Sequence, residues 1–181
     1  MPLRIGCIAF ALAAVSLLAV SAAAADADPA AGTRAFWDVY LRARIPGVPS
    51  AAKRKQLDRV ISPRLSDLIQ RAADAEVRHL AATKNREPPL AEGDLFTSLF
   101  EGATRYRVVA CNEAGERAEC TVELAYRAPH APTSQTWRDR TLLVREGTHF
   151  VVDDIAYGGT WDFGNKGTLG ATLAEIARWQ P

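Results

Sequence analysis

The sequence predicts an α+β domain in which N-terminal helices pack on one face of a curved antiparallel sheet of two hairpins, with a short helix at the C-terminus. Three observations lead there. Apolar residues recur at helical spacing as far as about residue 83. From about residue 105 the runs become rich in β-branched and aromatic residues and pair off around glycine turns. Helices followed by a block of antiparallel strands is the order of an α+β fold rather than of alternating βαβ units.

The first 25 residues stand apart. They carry a single charge, Arg4, then an apolar run from Ile5 to Val20, then Ser21-Ala22-Ala23-Ala24-Ala25, whose small residues suit signal peptidase. We place a signal peptide at 1–25 with cleavage after Ala25, Ala24 and Ala27 being the neighbouring choices. The alternative, an uncleaved anchor, would need a run of ~20 apolar residues and a basic flank behind it. After cleavage no membrane span is expected, and the destination is periplasmic or secreted. Residues 26–32 read as a polar leader and 33–181 as one domain.

Thr33 is the expected N-cap of the first helix, which runs to about Arg44 with Phe36, Trp37, Tyr40 and Leu41 on one stripe. Ile45-Pro46-Gly47 ends it. Ser50 caps a second helix carrying Leu57, Val60 and Ile61. Ser62-Pro63, serine at N-cap and proline at N1, starts a third with Leu65, Leu68, Ile69, Ala72, Ala73, Val77 and Leu80 on its apolar face. Residues 84–102 are too punctuated by Pro and Gly for a long element, with a short strand or helical turn expected at Leu95–Phe100. The first hairpin spans about 105–127 with Gly115 in its turn. The second runs from Thr136 to Val144, turns at Arg145-Glu146-Gly147, and returns from His149 to Tyr157. A Gly- and aromatic-rich link leads to a last helix from about Thr168.

Once the first 25 residues are set aside, acidic and basic side chains balance at 21 each. A neutral domain lacks the basic footprint that nucleic-acid binding needs, so no nucleic-acid partner is expected. Export also decides how the cysteines read. Cys7 leaves with the signal, and in an oxidising compartment the remaining two tend to pair. A symmetric register sets Cys111 opposite Cys120, residue 109 opposite 122 and 107 opposite 124, which predicts a cross-strand disulfide. C-x-x-C spacing is absent, so the pair reads as structural.

Recognisable chemistry is sparse. His79 lies three residues after Glu76 on the third helix, but no second histidine at helical spacing supports a metal site, and none is expected. His130 and His149 have no local partner. Ser66, Ser98 and Ser134 lack the settings that activate a serine nucleophile, and no glycine pattern cradles phosphate, so no cofactor is expected. The carboxylates say more. Phe150, Val152, Asp154 and Ala156 should share one face of the last strand and Val151, Asp153, Ile155 and Tyr157 the other, so one aspartate falls among apolar neighbours. Unpartnered burial would raise its pKa and make it an acid or base. Asp154 is therefore a catalytic candidate, with Asp94 and Tyr106 as companions. Trp37, Trp137, Tyr157 and Trp161 form a candidate aromatic ligand pocket, with core packing as the competing reading.

Trp37-x-x-Tyr40-Leu41, Ile61-Ser62-Pro63-x-Leu65, Gly93-Asp94-Leu95-Phe96-Thr97, and Val152-Asp153-Asp154-Ile155-Ala156-Tyr157 with the following link and Leu-x-x-x-Leu helix resemble an exported bacterial domain-of-unknown-function family. That family is similar to the nuclear-transport-factor-2-like, or cystatin-like, superfamily. The resemblance covers about residues 33–179 and implies a cone formed by the curved sheet around its helices. It does not select a function, because the superfamily holds isomerases, dehydratases and non-catalytic binding domains. The Asp/His dyads of its enzymes have no match: His149 and Asp154, five apart on a strand, fall on opposite faces. The expectation is a non-catalytic accessory domain of the envelope that binds a small ligand or an envelope protein. The alternative is a small hydrolase or isomerase using a pocket carboxylate.

Overall fold

A computed structural model describes residues 27–181, so the signal segment and its cleavage position lie outside the described residues. The order is α1 (Pro29–Ala43), α2 (Ala51–Leu57), α3 (Pro63–Thr83), β1 (Arg105–Ala114), β2 (Arg117–Tyr126), β3 (Gln135–Glu146), β4 (His149–Ala156) and α4 (Leu169–Ala177). The strands form one antiparallel sheet in chain order, β1-β2-β3-β4. The α+β class and the two hairpins agree with the sequence.

Helix α1 starts four residues before the expected Thr33. Asp28 is its N-cap, accepting from the Ala30 amide at 2.8 Å, with Pro29 at N1. Asp-Pro there is the same start signal as Ser62-Pro63 before α3, where Ser62 Oγ accepts from Leu65 N. Thr33 is instead buried inside the helix, its hydroxyl donating back to Pro29 O. Residues 29–32, expected in the leader, form the first turn. Gly32 sits where a Cβ would run into the Phe150 carbonyl, so α1 lies directly on β4. Phe36, Trp37 and Tyr40 press the rest of α1 into the sheet. Ser50 occupies the N-cap position of α2 but makes no side-chain cap bond.

The buried stripe of α3 runs through Leu65, Leu68, Ile69, Ala72, Ala75 and His79. Val77, expected on that face, is 67% exposed. Spacing of three and four from Leu68 leads to Ala75 and His79 and leaves Val77 on the far side. Helix α4, capped by Thr168, packs along α3. Ile61 bridges Val152 and Thr168 bridges Ala156, so the chain entering α3 and the chain entering α4 together cover the outer edge of β4.

Two bulges change the expected faces. In the first hairpin Cys111 is opposite Cys120 as predicted, and the two form a disulfide. Val109, however, is an extra residue: Val108 faces Val122 and Ala110 faces Thr121. In β4 the register slips between Leu142 and Leu143, leaving Asp153 as the extra residue between Val152 and Asp154. Phe150, Val152 and Ile155 can then all belong to the core. The bulge thus lifts both aspartates off the core face, and the forced burial of one among apolar neighbours does not occur.

The disulfide closes a short loop, for which chain entropy gives roughly 2.5–3 kcal/mol. Replacing both Cys111 and Cys120 by Ser should lower the denaturant-unfolding free energy by about 2–3 kcal/mol. Reductant should then change the midpoint of the wild type and leave that of the double variant where it is.

Candidate functional site

The segment between α3 and β1 carries the most unusual chemistry. Leu95, Phe96, Thr97, Ser98 and Leu99 are all buried, yet they form neither the short strand nor the helical turn expected of them. Their backbone groups therefore have no ladder to join and need other partners. Two aspartates accept from three of the amides, those of Phe96, Thr97 and Ser98.

Asp94 Oδ1 accepts from the amides of Phe96 and Thr97, both at 2.8 Å, and folds the chain into an Asx turn. Its Oδ2 accepts from Tyr40 Oη at 2.6 Å. The tyrosine oxygen in turn accepts from Ala103 N at 3.0 Å, so one α1 side chain holds both ends of the loop. Burial pushes the Asp94 carboxyl up to about 7, against hydrogen bonds from Tyr40, Thr97 and the Phe96 amide that favour its anion. Tyr40 is raised well above its ordinary range, first by burial and then by the neighbouring Asp94 charge.

Asp139, on the core face of β3, is fully buried. Ser98 N donates to its Oδ2 at 2.9 Å and Trp137 Nε1 at 3.0 Å, while Gly158 N at 2.8 Å and the Ser98 hydroxyl donate to Oδ1. Ser98 Oγ also accepts from the amides of Gly158 and Gly159. Asn165 Nδ2 bonds the carbonyls of Asp94 and Thr97, each at 2.7 Å, and Tyr157 Oη donates to Leu95 O. The loop is thus tied to α1, to β3 and to the link before α4.

Beside Asp94 a cavity of about 270 Å³ opens between the C-terminal end of α1 and this loop. Asp94 and Tyr40 are its buried polar groups, Leu41, Ile45 and Phe100 supply apolar wall, and the exposed Arg44 and Glu101 stand at its rim. Gly102 is needed here: its φ is +76°, and a Cβ would come 2.7 Å from Tyr40 Oη and 2.8 Å from Asp94 Oδ2.

The three catalytic candidates are not brought together. Asp94 lines this cavity, Asp154 a separate groove with Arg64, and Tyr106 a third depression on β1. Asp154 accepts from Gly170 N and from Ile155 N, both at 2.8 Å, and so fixes the start of α4 against the sheet. Asp153 takes Ser62 Oγ at 2.6 Å and Arg64 Nε at 2.9 Å. Burial acts to raise its carboxyl, but the bonds from Arg64 and Ser62 outweigh that and hold it below the ordinary range. Tyr106 Oη donates to Asp38 at 2.7 Å, and burial followed by that bond pushes it up to about 12.

Of the four aromatic pocket candidates only Trp137 and Trp161 make ring contact with each other. Trp37 is fully buried against the sheet, its indole N–H on Thr141 Oγ1. Trp137 packs edge-on to Trp161, which stacks on the exposed Phe163. Tyr157 is a strut for the loop. Glu76 and His79 do not pair around a metal: Glu76 accepts from Leu90 N, and His79 Nε2 donates to Pro88 O, so both clamp the incoming loop to α3. Among the described residues no group of three or more His, Cys, Asp or Glu is placed to hold a metal ion.

Tyr40, Ser98, Asp139 and Asn165 went unrecognised in the sequence as polar partners. Asp139 had a signal, since Trp137, Asp139, Thr141 and Leu143 alternate on one strand face, which places the aspartate inside with the tryptophan. Tyr40 is 54 positions from Asp94 and had none. No family model, curated protein or solved structure matches the chain.

Two outcomes follow from these geometries. Asp139→Ala strands the buried amide and hydroxyl of Ser98 and the Trp137 indole N–H, and should cost at least about 3 kcal/mol in denaturant unfolding. For Asp94 the unfolded chain releases the proton near 3.8 and the folded chain near 7, so its contribution to stability falls as pH rises through that window and levels off above it. Asp94→Asn keeps an acceptor for both amides and a donor toward Tyr40. It should remove that slope, so that its stability relative to wild type rises by on the order of 3 kcal/mol between pH 4 and pH 8.

Proposed function

We propose that this chain is an exported, non-catalytic binding domain that takes a small ligand in the cavity between α1 and the 93–103 loop. The observation that carries this is the engagement of both buried carboxylates. Asp139 is surrounded by donors from the protein itself, and Asp94 spends three of its acceptor positions on the turn it organises and on Tyr40. Groups so committed hold a rigid wall in place. A preformed cavity with apolar walls and few polar groups is the ordinary form of a ligand site.

The Cys111–Cys120 disulfide supports an oxidising compartment. Among the described residues no helix is long and apolar enough to cross a membrane. In this reading the fold is a cone of the nuclear-transport-factor-2-like kind, with α1 laid across the sheet, and the domain is an accessory of the periplasm or the secreted fraction.

One observation favours a second reading. A carboxyl that titrates near 7, 2.6 Å from a tyrosine hydroxyl and facing a cavity, has the make-up of a general acid–base pair. The two readings separate in one experiment. Native mass spectrometry of the domain purified from envelope extract should show a small-molecule adduct that Leu41→Trp, which fills the cavity, abolishes. Under the catalytic reading a component of the extract is consumed instead, at a rate that titrates near pH 7 and vanishes in Asp94→Asn. An adduct equally abundant in Leu41→Trp would place the ligand elsewhere.

A further inference from the structure

We propose that the ligand of this cavity is a small primary amine, bound as its ammonium ion through Asp94, with a short apolar body against Leu41, Ile45 and Phe100. The inference rests on reading the cavity as a binding site and adds the chemistry of what enters it.

Acceptor counting comes first. A carboxylate offers about four lone-pair positions. Oδ1 of Asp94 uses two on Phe96 N and Thr97 N, and Oδ2 uses one on Tyr40 Oη. The remaining position is on Oδ2, in a group that lines the cavity. Tyr40 Oη donates to Asp94 and accepts from Ala103, so what the pair has left to offer a ligand is an acceptor. A ligand must bring a donor.

Charge then narrows the donor. Besides Tyr40, which its burial keeps neutral, the ionisable side chains lining the cavity are Asp94, Glu101 and Arg44, two acids against one base. A carboxylate ligand would set acceptor against acceptor at Asp94. A neutral alcohol would fill the lone pair but leave the buried charge uncompensated. An ammonium group does both, because a charge-assisted hydrogen bond is the stronger kind and Asp94 itself is buried. The walls hold a short alkyl chain, and the 270 Å³ available limits its size. The carboxyl's rise to about 7 comes first from burial, which a bound cation opposes, so binding at neutral pH should release protons.

The test is an amide-resolved NMR titration of the wild type with n-butylammonium chloride, n-butanol and sodium butyrate, paired with calorimetry in two buffers of different ionisation heat. Butylammonium should move the Phe100, Gly102 and Ala103 resonances and bind at least about tenfold more tightly than either analogue, with net proton release at pH 7. Asp94→Asn should erase the preference. Glu101→Gln, at the exposed rim, should keep the folded spectrum and weaken butylammonium by about twofold. If butanol or butyrate binds as well as butylammonium, the cavity is a binding site but not for amines. If none of the three moves these resonances, the binding-site reading falls with it.

Discussion

Burying an irregular stretch of backbone is the constraint on which this molecule depends. Helices and strands bring their own hydrogen bonds into a core, but residues 94–99 enter it without either. Each of their amides would cost free energy if left bare. Asp94 and Asp139 meet that demand from opposite sides, one within the loop and one from the sheet, and Tyr40, Tyr157 and Asn165 complete the set. Buried ionisable groups are costly to desolvate, so their presence marks how much the loop needs them. The cavity at the end of α1 lies where Tyr40 ties both ends of this loop to the helix.

The parts of the fold legible in the sequence are those written locally. Ser62-Pro63 starts α3, Gly115 and Gly147 mark the two hairpin turns, and Thr168 caps α4, all as the residues suggest. Asp28-Pro29 carried the same message as Ser62-Pro63, but Thr33 offered a competing cap nearer the aromatic stripe. The bulges at Val109 and Asp153 were not legible, because an extra residue in one strand is determined by what its neighbour must bury. At β4 the demand is that Val152 and Ile155 both reach the core, three positions apart. Strict alternation then assigns the wrong faces to every residue beyond the bulge.

The candidate site was legible in one residue and not in its setting. Asp94 stands out after Gly93 and before Leu95-Phe96, and its burial gives that signal substance. Beyond the two local amides of its Asx turn, Asp94 is met by Tyr40 of α1, and the rest of the loop by Asp139 of β3 and Asn165 of the link, at sequence distances where no local pattern operates. Asp154 drew attention for the opposite reason. A pair of aspartates in an apolar strand looks chemically loaded, yet here one receives Arg64 and Ser62 and the other the first amides of α4. Both act as joints between the sheet and the helices beside it.

That arrangement has a consequence for association between molecules. The outer edge of β4 is shielded by the chain segments leading into α3 and α4, through single bridges at Ile61 and Thr168, and not by a further strand. The β1 edge is open but carries the Val109 bulge, which interrupts a regular template for an incoming strand. The two edges are thus guarded by different means, one built into the strand and the other borrowed from the helices. The cover is not an added flap, since Leu65 and Ile69 of α3 and Leu169 and Leu173 of α4 share one core with Val152 and Ile155 of the strand they shield.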